Sequence, residues 1–231
     1  MAVIRTRLNS ALLLFSRYPR LGKVKTRLSP SLSPEACLEL HRALLLDTLD
    51  RLSQLEVTCH LFLADCSREE IREFAHAHGL PESLHLHLQE GKDLGDRMWR
   101  AYQEVAPSVD RVVLLGSDTP SLPLSRIQEA LLQLEQSPVV VGPVEDGGYY
   151  LLGLAEPRKE LFYGIRWGTS AVLEQTLSKL AAGECYLLAS WYDIDTESDL
   201  CRLQKELSGE GEFEGFPERT FGFLRQKEES T

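Results

Sequence analysis

From residue 11 to residue 207, short apolar runs of strand length alternate with capped helical segments, and no other feature of the chain constrains its fold as much. The segments at 11–15, 57–64, 84–88, 111–115, 139–141, 149–154 and 185–189 read as strands, being too short for buried helices. In 84–88 the alternation is strict and puts His85 and His87 on one face. Between these runs, Ser33 and Pro34 open a helix to about Gln54, and Ser67 with Glu70 forms a capping box for a helix that stops at Gly79. Further helices are expected at 94–105, 124–134, 170–180 and 196–207. Strands joined through single helices pair in parallel, which predicts an α/β three-layer α/β/α sandwich with a mostly parallel central sheet and ligand loops along one edge.

The 231 residues carry no Ser-, Gly- or Pro-rich linker before about residue 208. Residues 1–207 are therefore expected to form one domain and 208–231 an acidic, loosely attached tail, in which 220–224 can dock through two phenylalanines. No apolar run approaches the roughly 20 residues that span a bilayer, and the run at 11–15 is shorter than a signal-peptide core, so a cytoplasmic chain without a membrane partner is expected. Cys37, Cys59, Cys66, Cys185 and Cys201 are odd in number and contain no CxxC pair, which argues against a disulfide framework and a zinc ribbon. They are expected to be reduced and mostly buried. A formal net charge of -10 disfavours a nucleic-acid partner, whose backbone demands a broad basic face, and fits a small anionic substrate better.

Against that acidic balance, Arg17, Arg20, Lys23, Lys25 and Arg27 place five cations in eleven residues directly after the first apolar run. They leave the end of a strand on a loop punctuated by Pro19 and Gly22, and the carboxyl ends of strands are where open α/β sheets bind ligands. Lys as a point charge and Arg as a two-pronged donor both suit phosphate. A P-loop is excluded twice, since Val24 stands where Ser or Thr must hold magnesium and Arg17 where the first glycine must be. A dinucleotide-binding GxGxxG is absent as well.

Three further motifs follow. Asp118, with Ser117 before it and Pro120 after, stands just beyond a buried strand, where a carboxylate can hold a hard cation against phosphate or cap the next helix. In 142–150, Glu145 and Asp146 precede Gly147 and Gly148, a pattern that brings backbone close to a ligand or makes a hairpin turn. In 191–199, Asp193 and Asp195 stand before a helix start that needs only one capping oxygen, which leaves a carboxylate to spare. A haloacid-dehalogenase reading of that Asp-x-Asp fails on Glu197 and on its position late in the chain. Trp167 can stack on a base or sugar or pack as a staple, and Asp96 and Arg97 can reach a ligand from the start of their helix, whereas Trp99 and Tyr102 read as core. His76 and His78, like His85 and His87, have no convincing third metal ligand.

Pro19-x-x-Gly22-x-x-Lys25-Thr-Arg-Leu28, Gly116-Ser-Asp-Thr-Pro-Ser-Leu122, Gly142-Pro-x-Glu-Asp-Gly-Gly-Tyr149, Trp167-Gly-Thr and Asp193-Ile-Asp-Thr-x-x-Asp-Leu200 together resemble the DUF2064 family. This is a branch of the nucleotide-diphospho-sugar transferase (GT-A) superfamily, similar to the 2-phospholactate guanylyltransferases and molybdenum-cofactor nucleotidyltransferases. The resemblance spans about residues 11–207. It implies a transferase that binds an NTP or nucleotide sugar and a small-molecule acceptor, with Mg²⁺ or Mn²⁺ as cofactor. By that resemblance Lys25 and Arg27 bind the phosphates, and the expected nucleotide-binding set adds Arg17, Gly22, Lys23, Asp96 and Ser117 to them. Asp118 and Asp195 hold the metal, while Glu145, Asp146, Gly147, Gly148 and Trp167 line the acceptor side. Lys25, Arg27, Asp118 and Asp146 are the expected catalytic residues. Sugar transferases of this fold carry Asp-x-Asp at the metal strand, and Gly116 replaces the first Asp here, a departure that the nucleotidyltransferases tolerate. Nucleotidyl transfer to a small, phosphorylated acceptor with release of pyrophosphate is the favoured reaction. Glycosyl transfer and a non-catalytic nucleotide-binding module are the alternatives.

Overall fold

In a computed structural model, which describes residues 9–209 and 216–229, seven strands build one sheet: β1 (Ser10–Arg17), β2 (Thr58–Ala64), β3 (His85–Leu88), β4 (Arg111–Gly116), β5 (Val139–Pro143), β6 (Tyr149–Leu154) and β7 (Cys185–Leu187). Residues 1–8, 210–215 and 230–231 of the expected domain and tail lie outside the described residues. The helices are α1 (Pro34–Leu52), α2 (Arg68–Ala77), α3 (Leu94–Val105), α4 (Leu124–Gln133), α5 (Val172–Leu177), α6 (Glu197–Leu207) and α7 (Glu218–Glu229). The sheet order is β3-β2-β1-β4-β6-β5-β7. β6 runs antiparallel to both its neighbours, and every other pair is parallel. The reason is chain length: β5 and β6 are joined by a short turn, and a parallel crossover needs a dozen residues or more.

Both faces of the sheet are covered, so the central strands are apolar without interruption. Leu12 and Leu14 face α1, α2 and α4, while Ala11 and Leu13 face α3. All four are fully buried, and each leucine contributes on the order of 1.5–3 kcal/mol of transfer free energy. The start of α1 bears out its cap, since Ser33 accepts from the Ala36 N–H, and α2 carries the full capping box of Ser67 and Glu70. The cysteines depart from expectation. All five are free, but only Cys37 is buried: Cys59 at the start of β2, Cys66 in the loop after it and Cys185 on the edge strand β7 are half-buried, and Cys201 on α6 is exposed.

The tail is held by more than its phenylalanines. α1 is buried on a second side, where Leu40 and Leu44 meet Leu200, Leu203 and Leu224 of α6 and α7. Asp47 of α1, with a side chain 3% exposed, accepts from the backbone N–H of Arg219 and Thr220 and from the Thr220 hydroxyl, and so serves as a cap supplied by another helix. Among the described residues no helix is long and apolar enough to cross a membrane.

His60, partner of His85 in the register, completes a histidine group that reading the β3 alternation alone did not reveal. The His60 and His85 rings stack 4.7 Å apart, and His60 Nδ1 lies 2.9 Å from His87 Nε2, whose ring in turn meets Glu104. Burial, with His87 and His85 adding repulsion, pushes the His60 pKa down to about 4.

Two outcomes are expected. Asp47→Ala leaves buried Thr220 donors unpaired, so it should cost about 2 kcal/mol in urea unfolding and make α7 the first site of limited proteolysis. The neutral His60 stabilises the fold fully above its unfolded pKa of 6.5, and that contribution is lost as pH falls towards about 4. His60→Gln should therefore gain stability relative to wild type across that window in parallel melts.

Candidate active site

The chain leaves β1, builds outward through β2 and β3, then returns to place β4 on the other side of β1, so the strand order reverses between β1 and β4. A crevice opens at such a switch point, beyond the carboxyl ends of the strands. Here the basic loop, the residues after β3, and Gly116, Ser117 and Asp118 after β4 surround a cavity of about 570 Å³. A second cavity of about 430 Å³ adjoins it, walled by Val144, Asp146, Gly148, Tyr149, Trp167 and Asp193. Phe15, Arg27, Leu94, Gly116 and Asp195 line both.

The basic loop is held by its own backbone and by one lysine. Lys23 N–H donates to Arg20 O at 3.0 Å, Gly22 takes φ +70° in that turn, and Arg17 Nη1 donates to Lys23 O at 3.3 Å. Lys25 adopts a left-handed conformation, φ 49°, which costs a residue with a Cβ about 1 kcal/mol. That conformation carries its side chain inward until it is 4% exposed, with Nζ 2.8 Å from Asp118 Oδ1, 3.4 Å from Asp195 Oδ1 and bonded to Ile194 O. Burial alone would lower the Lys25 pKa. The attraction of Asp118 and then Asp195 outweighs it and leaves the pKa raised, so the ammonium stays charged. Burial likewise pushes Asp118 up, and the Lys25 ammonium beside it overcomes that and holds its carboxyl below the usual range.

Beneath the loop, Ser117 donates to Ser16 at 2.9 Å, and His41 Nε2 lies 2.9 Å from Arg17 O and 3.4 Å from Ser16 Oγ. Burial lowers the His41 pKa, so this connection is built from neutral groups. Sequence reasoning missed Ser16 and His41. The available signal was a serine at the end of an apolar strand, where a buried hydroxyl demands partners.

The expected site residues divide. Arg17, Lys23, Lys25, Arg27, Ser117, Asp118 and Asp195 converge on the larger cavity, and Asp146, Gly148 and Trp167 on the smaller. Asp118 does not cap α4, whose start has no side-chain cap, and the start of α6 is capped by Thr196 with Asp199, which leaves Asp193 and Asp195 facing the cleft. Asp96 is turned away: its carboxylate accepts from Lys92 N–H and the Tyr163 hydroxyl and pairs with Arg100, while Arg97 beside it lines the cavity. Glu145 pairs with Arg202 at 2.7 Å instead of lining the cleft. Gly22 serves the turn. Gly147, at φ +91°, serves close packing, since a Cβ there would lie 2.2 Å from Ser170 O. The 142–150 motif is thus both a hairpin turn, with Gly147 N–H donating to Val144 O at 3.2 Å, and a cavity wall.

A hard divalent cation suits an all-oxygen donor set, and Asp118, Asp193 and Asp195 supply one. Asp118 Oδ1 is buried on Lys25, yet the side chain as a whole is 41% exposed, so its other oxygen faces the cleft. Asp193 is raised to about 6, first by burial and then by repulsion from Asp195 and Asp146, a crowding that a cation would relieve. Both Asp195 oxygens are engaged, by Lys25 and, at 3.0 Å, by Arg27. Among the described residues no three such side chains are already gathered as a metal site.

The family model described as "uncharacterized protein conserved in bacteria (DUF2064)" matches residues 37–169, more than half of the chain. The chain belongs to the DUF2064 family. It is 31% identical over 146 residues to the 2-phospho-L-lactate guanylyltransferase of Methanothermobacter thermautotrophicus, an alignment that covers 63% of this chain and only 62% of that enzyme. A crystal structure from Desulfovibrio desulfuricans G20, provisionally named a nucleotide-diphospho-sugar transferase, is 32% identical and superposes with a TM-score of 0.86 over 95% of both chains. Rv0371c of Mycobacterium tuberculosis H37Rv, solved in complex with manganese, shares the fold at 17% identity, with a TM-score of 0.55 over 86% of this chain and 98% of its own. The α/β architecture of the nucleotide-diphospho-sugar transferases is therefore the architecture of this protein.

Lys25→Met should strand Asp118 Oδ1 in a buried position. The expected loss is about 2–3 kcal/mol in chemical denaturation, less than for a fully buried pair because Asp118 is 41% exposed.

Proposed function

We propose that this protein is a nucleotide-dependent transferase that moves a nucleotidyl group from an NTP to a small, phosphorylated acceptor and releases pyrophosphate. One observation carries the reading: two cavities of different chemistry meet at Arg27, Gly116 and Asp195. The larger holds Arg17, Lys23, Lys25 and Arg27, a density of charge suited to a triphosphate. The smaller, with Tyr149 and Trp167 edge-to-face at 6.3 Å, offers apolar walls for a second molecule. The guanylyltransferase relative and the DUF2064 membership support this reading.

The acceptor oxygen attacks the α-phosphorus, the bond from that phosphorus to the bridging oxygen breaks, and pyrophosphate leaves with the electron pair. An acceptor that is already ionised needs no general base, so the work is positioning and charge neutralisation. Arg17, Lys23 and Arg27 orient the phosphates, and Lys25 fixes the loop that carries them. Asp118 and Asp195 would hold Mg²⁺ or Mn²⁺. That ion would neutralise charge on the phosphate oxygens. Gly116 leaves the floor bare, as a Cβ there would meet nothing within 4 Å, so a ligand can approach the backbone.

Glycosyl transfer is the second reading, favoured by the name of the D. desulfuricans relative. With Glu145 tied to Arg202, Asp146 is the carboxylate left to act as base on a hydroxyl acceptor.

Thermal melts with Mg²⁺ and, separately, each NTP and common UDP- and GDP-sugars decide between them. A Mg²⁺-dependent rise with a triphosphate is expected, worth about 2.7 kcal/mol at a hundredfold excess over Kd, and Asp118→Asn should lose the Mg²⁺-dependent part. Stabilisation by a nucleotide sugar and by no triphosphate would overturn nucleotidyl transfer.

A further inference from the structure

Gln89 follows β3 directly and extends its pairing, with its N–H donating to Leu63 O at 2.9 Å. Its side-chain Nε2 donates to two backbone carbonyls on neighbouring strands, Ser16 O of β1 and Phe62 O of β2, each at 2.9 Å. Carbonyl oxygens only accept, so the amide has one possible orientation and both of its hydrogens are consumed. The other end, Oε1, keeps two lone pairs and accepts no hydrogen bond from the described residues. Gln89 lies on the wall of the basic cavity with Ala64, Leu94 and Arg97. Leu94 is 42% exposed there, an apolar surface on which an aromatic ring can lie. Arg97 Nε is anchored on Gly91 O at 3.3 Å.

We propose that Gln89 determines the base bound by this site: its fixed Oε1 accepts from the ring N–H and exocyclic amine of guanine. The inference rests on the nucleotide reading given above. A free glutamine amide pairs with adenine by accepting from N6 and donating to N7, and the donation is unavailable here because both hydrogens are spent on Ser16 O and Phe62 O. Among the four bases, guanine alone presents two adjacent donors, N1–H and N2–H₂, which match one oxygen with two lone pairs. The O6 that follows on the same edge is an acceptor, and Arg97 supplies donors on the same wall.

Isothermal titration of the full chain in Mg²⁺ with GTP, ATP, CTP, UTP, inosine triphosphate and N1-methylguanosine triphosphate tests this. GTP should bind about ten- to a hundredfold more tightly than ATP, CTP or UTP, and inosine and N1-methylguanosine triphosphates should each lose about tenfold. Gln89→Met should lower GTP to the level of ATP while leaving ATP affinity in place. The analogue series needs no variant, so it stands even if Gln89→Met fails to fold. Triphosphate binding with equal affinity for GTP, ATP and the analogues, or a guanine preference that survives Gln89→Met, overturns the role of Gln89 and leaves the nucleotide reading intact. A chain that binds no triphosphate overturns both.

Discussion

One buried ammonium organises the edge of the sheet where the two cavities meet. Lys25 Nζ joins Asp118 Oδ1, Asp195 Oδ1 and Ile194 O, and so ties the loop after β1 to the end of β4 and to the segment before α6. A backbone bond from Ile194 N–H to Asp118 O, 2.9 Å long, closes the same junction. Desolvation of the ammonium offsets much of its Coulomb attraction, so the net stabilisation is modest and the larger effect is placement. A left-handed lysine is tolerable only where its surroundings over-determine it, and three oxygen partners do so.

The sheet topology explains why two cavities adjoin at that junction. Parallel strands deliver their carboxyl ends to one edge, and the reversal between β1 and β4 parts the loops there. The antiparallel β5–β6 hairpin then projects its turn onto the same edge as a second wall. Close packing locks that wall to the helices. A Cβ at Gly95 would lie 1.9 Å from Phe162 O and 2.6 Å from the Trp167 indole, so the start of α3 and the segment that carries Trp167 meet backbone to backbone. Leu94 and Trp167 consequently line one space.

Much of this arrangement is legible in the sequence. Periodicity and caps placed the strands and helices because each rests on local chemistry: Ser67 with Glu70, Thr196 with Asp199 and Ser33 beside Pro34 are complete signals within four residues. The cation cluster and Asp118 were legible because charge directly beyond a buried strand has few other uses. What escaped notice depends on contacts distant in sequence. Asp96 and Glu145 look like ligand carboxylates until Tyr163, Arg100 and Arg202 arrive to occupy them. Gln89 looks like an ordinary loop residue until two strands present carbonyls to its amide, and Asp47 like a surface acid until α7 folds back onto it. The antiparallel β6 follows from a connection too short to cross over, and the alternation argument does not extend to two strands without a helix between them.

The charge balance of the cleft bears on what it can hold. Asp118, Asp146, Asp193 and Asp195 gather within it against Arg17, Lys23, Lys25 and Arg27, in a chain of net charge -10. Lys25 and Arg27 already spend part of their charge on Asp118 and Asp195, so the cations are less available to a polyanion than their number suggests. The carboxylates are equally unsettled: Asp193 is held at about 6 by burial and by its acidic neighbours. A triphosphate arriving alone would meet uncompensated carboxylates, and a divalent cation arriving alone would meet ammonium and guanidinium groups. Arriving together, the cation offsets the carboxylates and the phosphates engage the basic loop, so each removes the repulsion that opposes the other. Under the proposed nucleotidyl transfer, electrostatics of this kind would favour a metal–nucleotide complex over either component alone.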